Sequence, residues 1–439
     1  MTTVLRTAMS IVAAAVLGAA AANQAAPDRH VALISIDGLA ADEYLQPNRC
    51  GGIANLRQLM AAGVYARGVA GVLPTVTYPA HATIATGARP AKHGVVNNAR
   101  LDGAPWHFDR TDIHATPIWD AARAAGLSTA IVTWPSTMGA SATYLIPENL
   151  SNVATVTDLI RAASTPRLFE TLESATAPVH LLPFGDEEAA VPLDRMTASF
   201  AVEIVRAHRP NLLMVHFLDF DHRQHSQGPG SAAACAALSG IDAHIGRLRA
   251  AYHDAGLDGR ATVVVVSDHG FEPLRTSVNL RPAIGDAAGE FDVRLASGSA
   301  AYYAKAGVAP ARLTELLAAI RTRVESQLHG IVRWMTGDEA ARIGGFPGAA
   351  FVLCAAPGYA LTRSLPPDVA TAPSTGRGAH GHCPDEPGID AAFIAAGAGV
   401  RPAGALPRMR MIDVGPTVAA LLGVTLPDAE GEPVPLAGK

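Results

Sequence analysis

The sequence predicts an α/β fold, a mostly parallel central sheet with helices on both faces, and three observations carry that reading. Five apolar runs rich in β-branched residues, "HVALISID", "TAIVTWP", "NLLMVHFLDFD", "ATVVVVSDHG" and "AAFIAAG", are continuous rather than alternating, as expected of strands covered on both faces. Stretches of helical periodicity lie between them, among them 117–126 and 312–324. The composition, 49% hydrophobic and 17% charged with 41 glycines and 31 prolines, suits a packed body with many turns and argues against disorder.

The first 22 residues run from a lone arginine through an apolar stretch to Ala20-Ala21-Ala22, the order of a secretory signal peptide. The run falls short of the about 20 apolar residues that cross a bilayer, so export to the periplasm or medium is expected, without a stable membrane anchor. A net charge of -5 exerts no pull toward a nucleic-acid polymer. Cys50, Cys235, Cys354 and Cys383 form no C-x-x-C pair; after export one or two disulfides are expected, in a connectivity the sequence leaves open.

The first strand ends in Asp37-Gly38, the third in Asp221 and the fourth in Asp268, and open α/β sheets bind ligands beyond the carboxyl ends of their strands. Within "DFDHRQH" one helical turn puts Asp221 and His225 on one face, with Asp219 and His222 as competitors. Asp268-His269 sits before Gly270, and His380 and His382 stand between glycines in "GAHGHC". Together these carboxylates and imidazoles supply ligands for two divalent metals, which about 3.5–4 Å apart suit in-line displacement at phosphorus. In "PTVTYPAH", Pro79 falls in the first turn of a predicted helix and Thr77 at its start, where backbone N–H groups and the dipole favour phosphate.

From 285 to 373 the composition reads as an insertion within a single catalytic domain spanning 27–430. "MIDVGPTVAALLGV" reads as a final helix capped by Asp413 and stopped by Gly423.

Taken together, Thr77-Tyr78-Pro79, Asp37-Gly38, "DHRQHSQGP" at 221–229, Asp268-His269-Gly270 and His380-Gly381 resemble the motifs of the nucleotide pyrophosphatase/phosphodiesterase family of the alkaline phosphatase superfamily, in its compact bacterial form. The resemblance implies an alkaline phosphatase-like fold and phosphodiester or pyrophosphate hydrolysis of small, nucleotide-type substrates through a phosphothreonine on Thr77. It implies one zinc held by Asp221, His225 and His380 and another by Asp37, Asp268, His269 and Thr77. In "HGVVNN" at 93–98 it implies Asn98 as a holder of a phosphoryl oxygen, with Asn97 adjacent, and it makes Tyr78 and Asn98 substrate contacts. Ala80 departs from the asparagine usual in animal members. A phosphomonoesterase or a lipid/choline-type phosphodiesterase on the same scaffold is the alternative, and Arg377, three residues before His380, is the cation that bears on it. Neither a sulfatase C-x-P-x-R nor a G-x-S-x-G elbow is present.

Overall fold

The computed structural model describes residues 28–46, 49–100 and 106–436; the expected leader at 1–22 lies outside them. The runs read as strands form the middle of an eight-stranded sheet. Its strands are β1 (His30–Ile36), β2 (Val64–Ala66), β3 (Thr129–Val132), β4 (Tyr144–Ile146), β5 (Leu212–Phe217), β6 (Ala261–Val266), β7 (Phe393–Gly397) and β8 (Gly404–Leu406), in the order β8-β2-β7-β6-β1-β5-β3-β4. Only β7 runs against its neighbours, β6 and β2.

Both faces of the sheet are buried, which is why its strands are apolar throughout. On β1, Ala32, Ile34 and Ile36 pack into one core with helices Ala190–His208 and Ala232–Asp254. Val31 and Leu33 face the other core, with helix α1 (Thr77–Thr86) and the terminal helix Val414–Leu422. The terminal helix ends on Gly423 in the left-handed region (φ 77°), as expected. The cap expected of Asp413 is absent: its carboxylate instead takes Arg410 Nη2 at 2.6 Å and the Glu432 N–H at 3.0 Å.

Parallel pairing aligns the carboxyl ends of the central strands. Ile36 pairs with Phe217 and Ser35 with Val266, so the residues that follow β1, β5 and β6 emerge along one edge. Between β6 and β7 the chain leaves the sheet through a short antiparallel ladder, Glu272–Pro273 against Gly378–Ala379. The excursion closed by this ladder runs over 274–377. It carries an antiparallel sheet of Phe291–Leu295, Ser299–Ala304, Val332–Thr336 and Phe351–Ala355 with helix Pro310–Gln327, around its own apolar core. Its stem delivers His380 to the edge that holds Asp37 and Asp268. Two disulfides, Cys50–Cys235 and Cys354–Cys383, account for all four cysteines, the second tying the excursion sheet to the segment just after His380.

Candidate metal centre and nucleophile

Helix α2 (Asp219–Gln227) begins directly after β5 and lifts Asp221 and His225 onto one face, with Nε2 of the histidine 3.5 Å from Asp221 Oδ2. His380 Nε2 approaches Asp221 Oδ1 to 3.8 Å. Asp221 is also central to a second group with Asp37 and His269: in each group of three the ligand atoms lie within 4.8 Å of one another. Asp268 joins there, with Oδ2 3.1 Å from His269 Nε2. Gly38, at φ +69°, makes the turn that lets its N–H donate to Asp268 Oδ1 at 3.1 Å, and a side chain at that position would meet Gln224 and Phe271. All six Asp and His residues expected at the centre therefore converge; Asp219 pairs with Arg223 and His222 bonds the Glu187 carbonyl, away from the cluster.

The ring orientations say what the cluster lacks. Nδ1 of His225, His269 and His380 lies 3.2, 3.1 and 3.1 Å from the backbone carbonyls of Gly378, Gly270 and Thr75. A carbonyl only accepts, so each ring carries its proton on Nδ1 and turns a bare Nε2 lone pair inward. His269 Nε2 thus faces the oxygens of Asp37 at 3.4 Å and Asp268 at 3.1 Å, lone pair against lone pair. Asp37 Oδ1, Asp221 Oδ1, Asp268 Oδ2 and His269 Nε2 are buried without a hydrogen-bond partner. Burial and the neighbouring charges of Asp268 and Asp221 drive the Asp37 carboxyl well above the usual carboxylate range; burial holds His269 down to about 3. Unsatisfied carboxyl oxygens and neutral imidazoles in one space are the donor set of divalent cations, and the residues fit such ions.

Thr77 is the first residue of α1, 7% exposed, with extended Val76 as the cap position; its carbonyl lies 2.8 Å from His81 Nδ1, which stands 3.7 Å from Asp268 Oδ2. Pro79, in the first turn, gives up an N–H that has no partner within the helix. Asn98 Oδ1 accepts the Tyr78 N–H at 3.0 Å, whereas Asn97 turns its amide to the Leu295 carbonyl at 3.3 Å. Tyr78 is the other substrate contact expected from the sequence. It is fully buried, packed edge-on against Trp106 and Phe108, and its hydroxyl donates to Glu148 Oε1 at 2.7 Å. Trp106 and Phe184 are half-buried aromatics 5.6 Å apart, Trp106 edge-on to Tyr78 and Phe184 next to His222. Sequence reading missed them, and nothing in their local sequence marks them. Arg377 is exposed, and its backbone N–H donates to the His225 carbonyl at 3.2 Å.

Sheet order and site edge define the class: an alkaline phosphatase-like α/β fold. Among solved structures, murine ectonucleotide pyrophosphatase/phosphodiesterase 5 superposes with a TM-score of 0.68 at 22% identity, covering 92% of this chain and 98% of that one. An inactive variant of the murine protein in complex with AMP superposes with a TM-score of 0.67 at 21% identity, covering 92% and 97%. The family is narrower than the fold. The profile of the type I phosphodiesterase/nucleotide pyrophosphatase family matches residues 31–382, and the chain belongs to that family. Curated relatives include ectonucleotide pyrophosphatase/phosphodiesterase family member 3 of Mus musculus, 25% identical over 253 residues, which are 55% of this chain and 25% of that one. Venom phosphodiesterase 2 of Crotalus adamanteus is 26% identical over 252 residues, 55% and 27% of the two chains. The matches thus span about a quarter of those relatives' length.

Proposed function

We propose that the protein is an exported hydrolase that cleaves phosphodiester or pyrophosphate bonds in small nucleotide-type substrates, using two divalent cations, zinc by the ligand set, and a phosphothreonine on Thr77. One observation carries the reading: Thr77 opens a helix whose first turn is bonded to Asn98, beside six converging Asp and His ligands. Asp221, His225 and His380 are the proposed holders of one cation, and Asp37, Asp268, His269 and Thr77 of the other. When bound, such ions supply Lewis-acid stabilisation of phosphoryl oxygens and acidify oxygen nucleophiles.

The chain's own groups do the rest. Thr77 Oγ gives up its proton and attacks phosphorus, forming the Thr77 O–P bond as the ester or anhydride P–O bond breaks; the leaving oxygen takes up a proton and departs, and the phosphoryl group on Thr77 keeps its other substituent. Water then attacks the phosphothreonine, the Thr77 O–P bond breaks, and the hydroxyl is restored. With Oδ1 of Asn98 occupied by the Tyr78 N–H, its Nδ2 is the donor left for a nonbridging oxygen, and the positive end of α1 adds to it. Trp106 and Phe184 offer an aromatic edge suited to a base.

The two disulfides accord with an oxidising compartment, and no described helix is long and apolar enough to cross a membrane. A monoesterase is the second reading, favoured by Arg377 beside His225. The deciding experiment gives the purified protein, before and after chelation and zinc return, a nucleotide p-nitrophenyl ester, a dinucleoside pyrophosphate and p-nitrophenyl phosphate. Full activity after exhaustive chelation, with no metal by elemental analysis, overturns the two-cation reading.

A further inference from the structure

Beneath the metal centre runs a buried polar chain whose two middle members, His216 and Glu148, lie outside the family motifs. His216, in β5, places Nε2 3.2 Å from Asp37 Oδ2 and Nδ1 2.8 Å from Glu148 Oε2, with the Thr133 carbonyl 3.2 Å from the same Nδ1. Glu148, two residues beyond β4, accepts the Tyr78 hydroxyl with its other oxygen at 2.7 Å. None of the four side chains is more than 2% exposed, and they come from four separate elements.

Both ring nitrogens of His216 face only carboxylate and carbonyl oxygens, so each presents an N–H. Burying such a carboxylate–imidazole–carboxylate array is expensive, and well-packed apolar side chains of the same volume would often serve stability as well or better. What the array does supply is direction. Asp37 has one oxygen taken by the His216 N–H, and the oxygen left over, Oδ1, is the one that lacks a partner and lies 3.4 Å from His269 Nε2. At the far end, Glu148 grips the residue next to Thr77.

We infer that His216 is a positioning residue that presents Asp37 to the cation through Oδ1 alone, and that Glu148 and Tyr78 tie the same carboxylate to the nucleophile helix. The inference rests on the two-cation reading above. Deleting the donor frees Asp37 to rotate, and partners of this kind are worth about 10–100-fold in metal affinity.

The test is zinc affinity by chelator competition, with stoichiometry, circular dichroism and Tm, on the wild-type protein, His216→Leu, His216→Gln and Tyr78→Phe. His216→Leu should weaken one of the two ions about 10–100-fold and leave the other unchanged. His216→Gln, whose amide still donates toward Asp37, should recover most of that loss. Tyr78→Phe should keep both affinities and lower kcat with KM unchanged. A folded His216→Leu that binds both ions as the wild type does, or that weakens both equally, overturns the inference. Should that variant not fold, Glu148→Gln decides: it removes the charge that holds Nδ1 but keeps an acceptor for Tyr78, and selective loss of one ion supports the inference while unchanged affinities overturn it. A wild-type protein that binds no divalent ion overturns the two-cation reading and this inference with it; normal wild-type stoichiometry with indifferent variants overturns this inference alone.

Discussion

Asn98 Oδ1 accepts the backbone N–H of Tyr78 at 3.0 Å, which locks the asparagine against the first turn of the helix that Thr77 opens. That bond settles the amide's sense, since an accepting Oδ1 leaves Nδ2 as the donating end. Asn98→Ala should therefore lower kcat for a phosphodiester by about 10²–10³, the range for removing one donor from a developing oxyanion. Asn97→Ala loses its bond to the Leu295 carbonyl at 3.3 Å and the Asn98 N–H that its Oδ1 accepts at 2.9 Å, but keeps the Asn98 amide itself, so its kcat should fall far less. Equal losses in the two variants, measured at saturating substrate, would refute the assignment.

The same helix start separates nucleophile from structural threonine. Thr77 is not the cap residue and makes no capping bond, so Thr77→Ala should leave Tm within a few degrees of wild type while activity falls by several orders of magnitude. Thr77→Ser keeps a hydroxyl and should keep measurable turnover. Enzyme acid-quenched with a substrate labelled in the retained phosphoryl group should carry the label in the wild-type and Ser proteins and none in the Ala protein.

Much of this centre was legible because it is built from strand ends. Asp37, Asp221 and Asp268 follow three neighbouring parallel strands, and parallel pairing brings any such ends to one edge. His216 and Glu148 left no comparable trace: the histidine sits inside an apolar run, and the glutamate is 68 residues away in sequence with its bond made across the fold. The stem of the excursion is a ladder of two residues on each side, too short for any periodicity to reveal. Asp413 occupies the position of a cap, but Arg410 three residues earlier competes for its carboxylate with a charge-assisted bond.

His93 gives the fold a pH dependence of defined sign. Its ring is buried, Nδ1 accepts the Val95 N–H at 3.2 Å, Nε2 lies 3.0 Å from Thr83 Oγ1, and burial holds its pKa down to about 3. In the unfolded chain the ring titrates near its ordinary value of about 6.5. A depressed basic group means that the unfolded chain binds the extra proton between these values, so the stability His93 leaves intact above about pH 6.5 is lost as pH falls toward 3, at up to about 1.4 kcal/mol per pH unit. His93→Gln removes that loss. The variant should be less stable than wild type at pH 7, and the gap in urea midpoint should close as pH drops to about 4. A gap that stays constant would show that His93 is not neutral in the fold.

The choice of ester turns on where a cation stands. A diester leaves a single negative charge at phosphorus, and a monoester adds a second that favours a dedicated positive side chain. The segments that form the nucleophile side, from Pro74 to His81 and from His93 to Asn98, contain no arginine or lysine beyond Lys92 at their margin, and the donor there is neutral Asn98. Arg377 is held by its backbone to His225, but its side chain is exposed. An exposed guanidinium binds phosphate weakly, since water screens it. The wild-type protein should therefore turn over a nucleotide p-nitrophenyl ester with much higher kcat/KM than p-nitrophenyl phosphate. Arg377→Ala should leave the diester value within about threefold, a change of under 1 kcal/mol in transition-state binding, and reduce only the residual monoesterase rate. Equal kcat/KM for the two esters, with a collapse of the monoester rate in Arg377→Ala, would make the protein a monoesterase with Arg377 as its phosphate clamp.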